Sequence, residues 1–246
     1  GTPPRVMLMT PTPIPDGDKL LATALTAPVV AQQGAQDQTP VSFDQLPKLG
    51  APSTVTAESK IDRYDTDIIT FSNGTKAILF LNPAEAGRIY VQARFGNGRK
   101  AFSPAKSASA MFGPMLMTSS GVGPFDKDAL DRLTSGRLLD VGFDMADDAF
   151  VLGGTTRAAD LSDMLLLMTH QLANPRFDAA PVNRARAALL ASYDSSDATA
   201  QAVLGREMGS ILRGGDKRWA MPSKEETQAL TPEAFRKTWE PLLKQG

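Results

Sequence analysis

The sequence predicts an α+β protein, a two-layer sandwich in which a mostly antiparallel sheet packs against helices. Three observations carry this expectation: two β-prone runs flanking Asn73-Gly74, a second pair of runs between 138 and 155, and helical periodicities lying between and after them. Strands, helices, strands and helices in that order point to segregated layers rather than alternating βαβ units.

Residues 5–9, Arg5-Val6-Met7-Leu8-Met9, read as a short apolar strand, and Pro11, Pro13 and Pro15 stop it because proline cannot donate to a ladder. A helix over Lys19–Val30 follows. From 31 to 60 the chain is polar, small-residue-rich and broken by Pro40, Pro47 and Pro52, a composition that buries too little apolar surface to order itself. This stretch reads as a linker, laid along a neighbouring surface through Phe43 and Leu46. The expected division is therefore 1–30 for a terminal strand and helix, 31–60 for a linker and 61–246 for the main domain.

"DIITFSNGTKAILFLNP", starting at Asp67, is the strongest local signal: Asn-Gly between β-prone runs supplies the positive φ angles of a tight hairpin. "GRIYVQARFG" over 87–96 places Ile89, Val91, Ala93 and Phe95 on one face and predicts a third strand. Pro104 suits the first turn of a helix over 107–118, Gly121 and Gly123 suit its end, and Asp126 caps a short helix over 127–134. Strands over Leu138–Met145 and Ala149–Thr155 flank a turn at Asp147-Asp148. Leu161, Met164, Leu165, Met168 and Leu172 then recur at helical spacing within 158–173, and Asn174-Pro175 ends that helix. Helices over Ala180–Tyr193 and Ala198–Leu212 follow. Ser223-Lys224-Glu225-Glu226 matches a capping box, and Thr231-Pro232-Glu233 sets a cap, an N1 proline and a first-turn acid in order, so two C-terminal helices are expected.

Charge and composition narrow the function. With 26 Lys and Arg against 27 Asp and Glu, a net charge of −1 and no basic cluster, nucleic acid is not an expected partner. The absence of cysteine excludes disulfides, thiolate metal sites and a Cys nucleophile. No apolar run reaches the roughly 20 residues of a membrane span, and the opening residues lack the basic flank and long apolar stretch of a secretory signal.

Catalytic chemistry has few places to reside. His170, the lone histidine, falls in the last turn of a Leu- and Met-rich helix, where it serves as a C-terminal cap or packs partly buried rather than ligating metal. A catalytic zinc takes three protein ligands, usually more than one of them His, so this chain cannot build such a site alone. No G-x-S-x-G elbow is present, and a Ser-His-Asp triad would have to recruit His170 from the end of its helix. Gly96-x-Gly98 and Gly121-x-Gly123 lack the context of a dinucleotide fingerprint and read as turns. Asp16-Gly17-Asp18 is too short for a calcium loop. Arg206 with Glu207, and Lys224 with Glu225 and Glu226, read as solvated helix faces. Met111, Met115 and Met117 could form an adaptable peptide-binding surface, but their spacing favours core.

The succession from 67 to 243 resembles the insulinase, pitrilysin and mitochondrial processing peptidase family of zinc metallopeptidases. The resemblance rests on the Ser72-Asn73-Gly74 turn, the strand "TKAILFL", a third strand ending in glycine, a helix leading to Gly121-Val122-Gly123, and the closing "PSKEETQALTPEAFRKTWEPLL". In that family's active domains the helix after the third strand carries the inverted motif H-x-x-E-H, two His binding zinc and the Glu acting as general base. Here Phe112, Met115 and Leu116 stand at those positions. The resemblance implies a degenerate, non-catalytic domain with no catalytic, cofactor-binding or metal-binding residue of its own.

The same resemblance implies a parent zinc endopeptidase whose catalytic domain, in the same protein or a partner subunit, holds the zinc, with this domain forming one wall of a chamber for peptide substrate. The alternative is a stand-alone peptide-binding or assembly module of the same fold. Residues 1–30 resemble the terminal strand and helix of a preceding domain, and the chain stops before the strand that would follow a helix over 232–243. A vacated sheet edge recruits whatever strand is available, so Arg5–Met9 is expected to pair with it, in the same molecule or a neighbour. Resemblance to bacterial secreted members implies a periplasmic location.

Overall fold

In the computed structural model, which describes residues 6–7, 9–27 and 40–244, the chain separates into two units, Gly1–Pro40 and Val41–Gly246. The first contains helix α1 (Gly17–Thr26), none of whose residues is buried. It begins two positions before the expected Lys19, and 28–30 lie outside the described residues. Asp16 and Asp18, weighed above as a calcium loop, are instead the residue before α1 and part of its first turn. Of the strand expected over 5–9, Arg5 and Leu8 lie outside the described residues, while Val6, Met7 and Met9 adopt no strand and Met7 and Met9 are each 82% exposed. A short apolar run does not make a strand unless a ladder and a covering face come with it.

The second unit begins earlier than the sequence suggested. Phe43 and Leu46 pack against Val122, Phe125, Leu130 and Leu133, with Leu46 buried. Residues assigned above to the linker form strand β1 (Val55–Ile61), which pairs antiparallel with β2 (Thr66–Phe71). All seven β1 side chains are exposed. Backbone hydrogen bonds rather than a buried face hold this strand, which is why no hydrophobic period announced it.

β2 turns at Ser72-Asn73-Gly74 into β3 (Lys76–Phe80), with Thr66 opposite Phe80 and Thr70 opposite Lys76. Gly74 N–H donates to Phe71 C=O and Phe71 N–H to Thr75 C=O, both at 2.9 Å. Only Gly74 takes a positive φ, 86°, so the connection is a turn closed by one left-handed glycine, not a two-residue loop with both residues left-handed. Asn73 contributes through its side chain, which accepts from Thr75 N–H at 3.1 Å.

Strand β4 (Ile89–Phe95) half-buries alternate residues, Ile89, Val91, Ala93 and Phe95, and exposes those between, as its pattern requires. It joins a different sheet, pairing along its length with β6 (Phe150–Thr156), which in turn pairs with β5 (Asp140–Met145). The expected single sheet is thus two antiparallel three-stranded sheets, β1-β2-β3 and β4-β6-β5. The α+β class holds, and the core lies on the second sheet.

Around that sheet stand α2 (Ser107–Leu116), α3 (Lys127–Thr134), α4 (Leu161–Ala173), α5 (Ala179–Ser196), α6 (Ala200–Ile211), α7 (Lys224–Ala229) and α8 (Pro232–Leu242). Their starts follow the cap chemistry. Asp126 accepts from Ala129 N–H at 2.8 Å, Thr231 accepts from Ala234 N–H at 3.1 Å, and both bonds of the Ser223–Glu226 capping box form. α2 ends at Leu116, short of the expected glycines. Gly121 instead lies where a Cβ would fall 1.9 Å from Phe125 C=O. The core gathers Phe102, Phe143 and Phe150 around Trp239 of α8, with ring centroids 5.1, 5.6 and 5.2 Å away.

Candidate functional site

α2 occupies the place in the fold where catalysis would be sought, directly after the sheet strand β4. Pro104 opens a single 3-10 turn, Pro104–Lys106, that runs into the α-helix. Its first turns are small: Ser107, Ala108, Ser109 and Ala110 are all buried. Small side chains let α8 approach closely, and Trp239 fills the space, its indole N–H donating to Ser109 C=O at 2.9 Å. Gly113 completes the fit, since a Cβ there would stand 1.8 Å from Trp239 Cζ2.

Phe112 and Leu116 are 3% and 4% exposed and belong to the same core as Trp239. Met115 is 54% exposed. The methionines divide: Met117 is buried as expected, whereas Met111 and Met115 lie on the outer face of α2. Four-residue spacing puts both on one helix face, and only the tertiary packing decides that this face is the outer one.

Met115 faces an apolar groove of about 490 Å³ between α2 and α5, walled by Phe112, Leu116, Pro181, Ala185 and Leu189. Its polar lining is limited to Ser119, Arg184 and Ser192. No His, Cys, Asp or Glu lines it, and among the described residues no group of three such side chains stands close enough to hold a metal ion. The nearest acid tied to α2 is Glu226, whose carboxylate accepts from Ser107 Oγ at 3.0 Å and from Ser223 N–H at 2.8 Å. The residues of α2 therefore do not fit zinc. Phe112 and Leu116 offer no lone pair, and the Met115 thioether is a poor ligand for an ion that prefers imidazole, carboxylate and thiolate.

His170 serves structure. It is 1% exposed in the last turn of α4, and the Asn174 side-chain amide donates to its Nδ1 at 3.0 Å. Burial lowers its pKa below the ordinary histidine value and so favours the neutral ring that this hydrogen bond needs. In α4, Met164, Leu167 and Met168 are buried while Leu165 is 47% exposed. Gly96 and Gly98 are turn residues with φ of 61° and 54°, and Gly123 likewise takes 54°. Arg206 bridges Glu207 and Asp197 and is more enclosed than a solvated pair would be, its side chain 24% exposed.

Solved structures show the same arrangement of elements. The periplasmic protease PqqL from Escherichia coli superposes on 83% of the chain with a TM-score of 0.71 at 15% identity. The ferredoxin protease FusC in complex with Arabidopsis ferredoxin covers 96% with a TM-score of 0.68 at 20% identity. An inactive domain of peptidase M16 from Pseudomonas fluorescens covers 71% with a TM-score of 0.57 at 16% identity. The fold is that of the insulinase-like peptidase M16 domains. The chain spans only 22% of PqqL and 26% of FusC. No protein-family model and no curated protein matches the sequence.

The Gly113–Trp239 contact could not be read from the sequence beforehand. Its one trace there is the run of small residues over 107–110 followed by Gly113, a pattern of close helix approach whose partner, 126 residues downstream of Gly113, no local period identifies.

Proposed function

We propose that this chain is a non-catalytic domain of a zinc-dependent endopeptidase, contributing one wall of the chamber that encloses peptide substrate. Water activation belongs, in this reading, to a domain bearing H-x-x-E-H elsewhere in the parent protein or in a partner subunit. The observation that carries it is α2: the helix in the position of the zinc-binding helix directs Phe112 and Leu116 into the core around Trp239. The match to an inactive peptidase domain and the small share of PqqL and FusC that the chain spans support the reading. The apolar groove beside Met115 is the surface it offers to apolar peptide side chains. Likeness to a periplasmic protease supports a periplasmic location. Strand exchange through Arg5–Met9 belongs to this reading only as pairing with a neighbouring domain or chain; among the described residues Val6, Met7 and Met9 adopt no strand.

Elemental analysis of the purified chain combined with a fluorogenic peptide assay tests the proposal. The expected result is no stoichiometric zinc and no cleavage. Turnover that disappears on chelation would overturn it. An upstream H-x-x-E-H in the parent reading frame separates this reading from a stand-alone binding module, which would have none.

A further inference from the structure

Three stretches of chain, around Arg99, around Asp147 and over 213–219, converge at Trp219. The guanidinium carbons of Arg213, Arg218 and Arg99 lie 5.0, 5.1 and 5.9 Å from its ring centroid, and its indole N–H donates to Asp147 Oδ1 at 2.9 Å. Gly98 makes the approach of Arg99 to the β5–β6 turn sterically feasible. Its φ is +54°, and a Cβ would stand 2.3 Å from Ala146 C=O. Backbone bonds from Arg99 N–H to Ala146 C=O and from Lys100 N–H to Asp147 C=O fix the contact.

Like charges so close require compensation, and two of the three arginines have it. Arg218 is clamped by both Asp216 oxygens, the Nη2–Oδ2 contact being 2.6 Å. Arg213 reaches Asp147 Oδ2 at 3.3 Å. Arg99 is different. Its Nη1 donates to Arg218 C=O at 2.9 Å, a neutral acceptor, and among the described residues it forms no ion pair; Asp147 and Asp144 act on it only through space. A half-buried guanidinium held by a single carbonyl keeps donors free in a fixed plane, the geometry that receives two oxygens of one planar anion.

We propose that Arg99, with Arg213 and Trp219, forms a binding site for a peptide carboxylate, either a free C-terminus or an acidic side chain. The site uses no residue of α2 and stands whether or not the chain belongs to a peptidase. The carboxylate oxygens accept from the open edge of the Arg99 guanidinium, and Arg213 adds long-range attraction.

Trp219 and Trp239 are the two tryptophans, and Trp239 is wholly buried, so ligand-dependent fluorescence reports on Trp219. The chain is titrated at constant ionic strength with acetyl-trialanine as the free acid, acetyl-Ala-Glu-Ala amide, acetyl-trialanine amide and inorganic phosphate. A saturable change with either carboxylate peptide and none with the neutral amide is expected, and whichever acid binds more tightly identifies the source. Arg99→Lys keeps the charge but loses the fork and is expected to weaken binding about tenfold, at an unchanged thermal midpoint. Should that variant fail to fold, Arg213→Gln, which removes the charge that attracts the anion, is expected to weaken binding in the same direction by a smaller factor. The proposal is overturned by no saturable response to either acid, by affinity unaltered in the folded variant, or by phosphate binding more tightly than both peptides.

Discussion

His170 shows what one residue contributes when it is the only one of its kind. Its ring is buried and accepts at Nδ1 from Asn174, and burial holds its pKa below the ordinary value. In the unfolded chain the same ring titrates near about 6.5. Since the folded pKa is the lower one, the stability linked to this group is fully present above the unfolded pKa and is lost as the pH falls below it, because the unfolded state then binds the proton more readily. With no second histidine, urea unfolding between pH 7 and 5 is expected to weaken with a slope of up to about 1.4 kcal/mol per pH unit. His170→Gln should flatten that slope, and a slope surviving the substitution would mean that another group carries it. The helix-end position of this residue was legible from the sequence. Its depth was not, because exposure in a last turn depends on what packs across it.

Helix α2 is set by its contact with α8. The indole of Trp239 lies where a Cβ on residue 113 would go, 1.8 Å from Cζ2, so Gly113→Ala forces the indole or one of the two helices to shift. Overpacking of this kind costs about 1–3 kcal/mol, more than the ~1 kcal/mol that alanine gains over glycine in a helix, and the net result should be a lower urea midpoint. In a Trp239→Leu background the same substitution fills vacated space, so its cost should vanish or reverse. Equal costs in both backgrounds would show that the clash is relieved in some other way. The caps of α3, α7 and α8 were legible residue by residue because a cap is a local bond between neighbours. The end of α2 was misplaced because Gly121 answers to Phe125 rather than to the helix before it.

Across the whole molecule, stability is concentrated on one of the two sheets. β6 lies between β4 and β5, with Phe150 0% and Leu152 1% exposed. β1 buries no side chain, and β3 leaves Ile78 67% and Phe80 64% exposed. Backbone bonds without buried apolar area open at low free-energy cost. Hydrogen exchange should therefore be fastest in β1 and β3 and slowest in β6, and comparable protection in both sheets would contradict this division of the core. Exposed apolar edge strands also invite pairing with other strands.

By itself the sequence determined the α+β class, the hairpin at Asn73-Gly74, the alternation of β4, the capped starts of α3, α7 and α8 and the lack of metal-ligating residues at 112, 115 and 116. These follow from period, cap chemistry and residue type, all of which act within a few positions along the chain. Only the tertiary structure decided that β4 pairs with β6 rather than β3, that β1 is a strand at all, that Met111 and Met115 face outward, and that Gly113 meets Trp239 and three arginines meet Trp219. Each of these joins segments whose side chains carry no mark of their partner, and pairing across such distances is fixed by which surfaces the completed core leaves facing one another.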